Sequence, residues 1–184
     1  TSEQLTRVGW PKGAHRLARA VLAVNLHFGA LDFADGHPVS HDSLRKREYH
    51  HVFPDALLQE AGIDSYLALN CALVTWKTNR SIGRKDPLAY LQDRVEWSDE
   101  QTVAQRLRTH LLDYGTLSKA TYAVDGKPLE GEALVARLEK DFDAFLERRA
   151  ILVVLAAQHL TDGRLLTLEQ LMTAAEAAEP ALAK

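Results

Sequence analysis

The 184-residue chain balances 22 Lys and Arg against 25 Asp and Glu, and the formal charge of -3 excludes a generally basic nucleic-acid binder, so any contact with a polyanion must be local. A hydrophobic fraction of 46% and a charged fraction of 26% are ordinary for a globular protein of this size, which buries one core rather than two independent ones. The one cysteine, Cys71, excludes an internal disulfide framework, and the opening TSEQLTRVGW lacks a charged segment leading into an apolar signal core, so a cytoplasmic location is the default expectation.

From Pro11 to about Leu31, the spacing of Leu17, Val21, Val24 and Phe28 predicts one face of a helix, with Pro11 suited to its first turn. The segment from Phe33 to Ser43 is dense in Asp, Gly, Pro and Ser and is expected as a loop, with His37 and His41 solvated in it. RKREYHH, from Arg45 to His51, carries no helical period and runs into VFP, which predicts a short strand. A helix is expected from Pro54 to Ala61, with Leu57 and Leu58 inward and Gly62 as its stop. CALVT, from Cys71 to Thr75, is apolar and partly β-branched and predicts a second strand.

Thr75 can cap a following helix that Gly83 ends, which would put Asn79 in its middle. Asp86 and Pro87 signal another helix start, running through Leu88 and Leu91. Further helices are expected over Asp99 to about Asp113, Gly131 to Leu160, and Leu168 to Ala178. Between them Asp125-Gly126 marks a tight turn, closing either a small hairpin or a loop. The longest apolar run, Ala150 to Ala157, is less than half of a bilayer span and is expected as a buried helix face. His15, His27, His110 and His159 stand singly on helical patterns, where a surface or satisfied core role is expected. Because the chain begins with Thr, it is expected to be the C-terminal piece of a longer protein.

The unusual chemistry is concentrated between Tyr49 and Pro87, in the order His50, His51, Asn70, Asn79. Hydrolysis of a phosphodiester needs an activated water, a cation on the phosphate and leaving oxygen, and a scaffold holding both in line with the scissile bond. A neutral imidazole can accept the water's proton, while a second imidazole and an amide oxygen can hold a divalent ion. Neighbouring side chains of a strand point apart, so His50 and His51 are better divided into one ligand and one base than joined as a chelate.

The string YHHVFP, then LNCALVTWKTNRSIG, then DPLAYL resembles the ββα-metal finger of HNH (His-Me finger) endonucleases, in particular the domains at the C-terminal end of GmrSD-like modification-sensing defence proteins. It is also similar to the nickase of the phosphorothioate-sensing Ssp system. The match covers about forty residues, and the flanking helices agree in character only. The resemblance implies His51 as general base, His50 and Asn79 as metal ligands, and Asn70 as the residue that bonds the backbone of the intervening loop and steadies the base. Many members place Asp where this chain has His50. An imidazole is softer and uncharged, so Mn²⁺ or Ni²⁺ could support activity better in vitro even where Mg²⁺ serves in the cell.

Arg47, with Arg45 and Lys46 before it, and Lys77, Arg80, Arg84 and Lys85 supply a local phosphate footprint. Trp76 is expected to pack within the finger. The expected fold class is α+β, mostly α-helical, with the finger core at about 45–85 and a helical surround at 11–31 and 86–178. The expected function is metal-dependent nicking or cleavage of double-stranded DNA, as the effector of an anti-phage restriction protein with an upstream nucleotide-hydrolysing sensing domain. No membrane partner is expected, and paired sites or an oligomer would be needed for double-strand breaks. The rival reading is a catalytically silent DNA-binding or interaction module that retains the finger.

Overall fold

The computed structural model describes every residue except 14, 34, 40–46, 76–84 and 183–184, and only the backbone at 47, 48, 75 and 179–182. The described elements run α1 (Ser2–Thr6), α2 (Arg16–His27), β1 (Arg47–His51), α3 (Asp55–Glu60), a 3-10 turn (Ala68–Asn70) and β2 (Cys71–Thr75). They continue as α4 (Pro87–Trp97), α5 (Glu100–Arg108), α6 (Tyr114–Leu117), β3 (Ala123–Val124), β4 (Lys127–Pro128), α7 (Gly131–Thr161) and α8 (Leu168–Leu182). The fold is α+β and mostly helical, with two small antiparallel sheets, β1-β2 and β3-β4. Among the described residues no helix is long and apolar enough to cross a membrane.

β1 and β2 pair antiparallel with His50 opposite Ala72 and His51 opposite Cys71. Strand alternation gives this ribbon two different sides. Ala72 and Val74 enter the main core with Phe53, Tyr90, Phe142 and Phe145, whereas Cys71 and Leu73 join a smaller cluster of Trp10, Leu22, Ala30 and Val39. A two-stranded ribbon is at best marginal alone. Here one side packs into the main core, and the other is partly covered by Trp10 and by Leu22 of α2.

Helix α2 starts at Arg16, five residues after the expected Pro11, and its buried stripe is Ala18, Val21, Leu22 and Asn25. Leu17, expected inward, is 53% exposed. The stripe escapes a hydrophobicity count because Ala18 is small and Asn25 is polar, and Asn25 is buried for a polar reason: oriented to suit its neighbours, its carboxamide donates to His110 O at 3.2 Å and accepts from Arg149 Nη2 at 3.1 Å. Asp86 caps α4 through Ala89 N at 2.7 Å with Pro87 in the first turn, as its sequence predicts.

The helix expected over 99–113 ends at Arg108 instead. Leu111 lies at φ 54, a left-handed conformation that stops a helix, and α6 then begins with Asp113 as its cap. Leu111 and Leu112 are both fully buried, so core burial offsets the backbone cost there. Asp125-Gly126 closes a hairpin, both residues having positive φ at 50 and 74. Helix α8 runs four residues beyond the expected end at Ala178.

Candidate active site

β1 delivers the two histidines and ends with them. Tyr49 and His51 share one face of the strand, and His50 takes the other. His50 is 3% exposed, with its ring 6.4 Å from that of Phe33. His51 is half-buried: the indole of Trp10 stacks on it at 4.1 Å between centroids, and Tyr66 stands nearly perpendicular to it at 4.9 Å. The two imidazoles therefore lie on opposite faces of the ribbon.

Burial lowers the His51 pKa below its ordinary value, Asp55 pulls it back up and Lys12 lowers it further, so the ring is neutral at pH 7 and able to accept a proton. Its Nε2 is enclosed and has no hydrogen-bond partner among the described residues. Asp55, in the first turn of α3, is itself held by Gln59 Nε2 at 2.9 Å and by the hydroxyl of Ser65.

The chain leaves β1 through Val52, Phe53 and Pro54, all buried, with Val52 and Phe53 at 0% exposure. Buried backbone away from a ladder needs partners, and each N–H and C=O of Val52 and Phe53 has one. Val52 N–H donates to Asn70 O at 2.9 Å, and Val52 O accepts from the Tyr90 hydroxyl at 3.1 Å. Phe53 N–H donates to Asn70 Oδ1 at 2.8 Å, and Asn70 Nδ2 donates to Phe53 O at 3.1 Å and to Ser65 O at 3.0 Å. One carboxamide thus ties the strand exit to the far end of the loop that returns to β2.

Asn70 is in turn bracketed by a buried guanidinium that sequence reasoning missed. Arg149, 1% exposed on α7, donates through Nη1 to the carbonyls of Leu69 and Cys71, the latter at 2.9 Å, and through Nη2 to His110 O at 3.0 Å. Burial lowers its pKa to about 10, with Cys71 and Tyr90 acting in the opposite direction, so it remains a cation at neutral pH. An arginine within ERRAILVV carries no local mark of burial, because its partners are carbonyls 39 to 80 residues away. His110 is a core residue, with Nε2 at 2.6 Å from Leu31 O, and His37 is exposed beside Asp35. Trp10 and Tyr66 were also missed, since nothing near them in sequence points to His51.

The other predicted site residues divide by position. Arg47 has its backbone in β1 opposite Thr75. Lys85 is exposed and pairs with Asp93, so a phosphate would compete with that carboxylate for it. Asn79, Lys77, Arg80 and Arg84, the helix expected around them and Trp76 lie outside the described residues, as do Arg45, Lys46 and His41. Among the described residues no three His, Cys, Asp or Glu side chains group as a metal site. In the ligand set expected from sequence, His50 would be one donor and Asn79, outside the described residues, another; an imidazole nitrogen with a carboxamide oxygen would suit a first-row divalent ion. Comparison with family models, with curated proteins and with solved structures finds no match to this chain.

Proposed function

We propose that this chain is a metal-dependent DNA endonuclease or nicking domain of the HNH type, the effector part of a modification-sensing defence protein. The observation that carries the reading is the carboxamide of Asn70 clamping both backbone groups of Phe53, two residues after His51, at the open end of an antiparallel pair. A general base must be held still relative to the bond it attacks. The clamp pairs the buried backbone of Phe53 and, in doing so, would hold the strand exit that carries His51 still.

In this reading the neutral His51 ring takes the proton of the attacking water. Trp10 and Tyr66 fix the plane of that ring and keep bulk water from one side of it. His50 and Asn79 would hold the divalent ion, which when bound supplies positive charge to the phosphate and leaving oxygen. Since the two imidazoles occupy opposite faces, a phosphodiester served by both lies off the end of β1, where the strand stops. Lys77, Arg80 and Arg84 would grip flanking phosphates. One such site cuts one strand, and double-strand breaks need two sites acting together.

Plasmid nicking tests the proposal. The parent is expected to relax supercoiled DNA with Mg²⁺ or Mn²⁺ and to be silent in EDTA, and His51→Ala is expected to abolish nicking while its circular dichroism stays that of the parent. Nicking by His51→Ala above background would remove the base assignment, and a parent inert with every divalent ion would leave the silent binding module.

A further inference from the structure

The face of β1 that carries His51 is aromatic well beyond the needs of packing. Trp10, 8% exposed, forms its floor: it stacks on His51 and meets Tyr66 at 5.5 Å and Tyr49 at 6.4 Å, both edge-on. Tyr49 and Tyr66 rise from this floor at 42% and 44% exposure, so each presents part of a ring to solvent beside the proposed base.

Both rings stand on fixed backbone. Tyr49 is laddered opposite Leu73, while Tyr66 N–H donates to Asp64 Oδ1 at 2.9 Å and its neighbour Leu67 bridges to Gly9. Lys12, exposed, adds positive charge close enough to be felt by His51. Rigid, half-open aromatic rings with a nearby cation are what a nucleobase with its phosphate requires, since every base offers a π-face whatever its sequence.

We propose that Tyr66 and Tyr49 form a stacking site for an unpaired base flanking the scissile phosphate, which makes single-stranded or locally melted DNA the favoured substrate. The site rests on the nuclease reading above and deepens it. The preference follows from access, because in a duplex each base face is covered by its neighbours and only an unstacked base can meet an upright ring.

The test is fluorescence anisotropy of the full chain with a labelled single-stranded 12-mer and with the matching duplex, in EDTA so that nothing is cut. The parent is expected to bind the single strand several-fold tighter than the duplex. Tyr66→Ala, compared with a parent whose circular dichroism it matches, is expected to weaken single-strand binding about tenfold, the size of one lost base–aromatic stack, with little change for the duplex. Tyr66→Phe keeps the ring and should bind as the parent does. An oligonucleotide with abasic positions should lose the same factor with the parent and nothing further with Tyr66→Ala. Single-strand binding that neither Tyr66→Ala nor Tyr49→Ala alters overturns this site and leaves the nuclease reading standing. A parent that binds neither form of DNA overturns both.

Discussion

Asn70 makes three side-chain hydrogen bonds and is fully buried. Asn70→Ala strands one amide and two carbonyls, each costing about 1–3 kcal/mol when left unpaired, and after partial relaxation a loss of about 3 kcal/mol is expected in urea unfolding. Asn70→Asp keeps an acceptor for Phe53 N–H but turns a carboxylate toward the carbonyls of Phe53 and Ser65, so it is expected to be no milder. The same residues separate by kinetics. Losses of nicking in His50→Ala and Asn79→Ala should be partly recovered at high divalent ion concentration, whereas Asn70→Ala should stay slow at every concentration. Identical metal titrations of all three variants would refute the division of roles.

At the level of elements, β1 is secured at its exit by residues from elsewhere, and α4 supplies one of them through the Tyr90 hydroxyl on Val52 O. Tyr90→Phe leaves that buried carbonyl unpaired and is expected to cost about 1–2 kcal/mol in the same unfolding experiment. Asp86 sets where α4 begins, accepting from Ala89 N, and its second oxygen receives Tyr122 N–H at 3.4 Å. Asp86→Ala should therefore cost about 1 kcal/mol or slightly more. The capping and strand signals around the site were legible in the sequence because they are local: β2 spans Cys71–Thr75 and α4 starts after Asp86, as their residues imply. The break after Arg108 was not, because Leu111 adopts its left-handed conformation for the sake of the core and not from any preference of its own.

Across the whole molecule, Arg149 joins the central helix to the strand pair and to the loop that carries His110. Arg149→Ala removes donors from buried carbonyls and opens a cavity, so a loss of about 3–5 kcal/mol is expected, enough to unfold a marginal domain. Burial pushes the Cys71 thiol up to about 12, against the pull of Arg149, so at pH 8 the native chain should react with a thiol reagent only through opening, and a denaturant should speed labelling sharply. Net charge acts at this scale as well. With -3 overall and only a local cluster of Arg and Lys near the motif to attract a duplex, the chain should bind unmodified DNA weakly, with little sequence preference and a steep loss on adding salt, and Arg80→Ala and Arg84→Ala should flatten that slope in an anisotropy series. Tight, salt-insensitive binding would show a recognition surface of its own.

Taken by itself, the amino-acid order determined what short-range physics controls: two strands around a loop, the aspartate-capped start of α4, and a tight turn at Asp125-Gly126. Tertiary structure alone decided which of these residues are tied together and by what. The Trp10 stack on His51 joins residues 41 positions apart, and the Arg149 bonds to Leu69 and Cys71 join residues 80 and 78 apart. Such pairs have no periodicity to announce them. They exist because buried carbonyls and a half-buried imidazole must find partners once the core has closed, and which side chains lie within reach is settled by packing rather than by position in the chain.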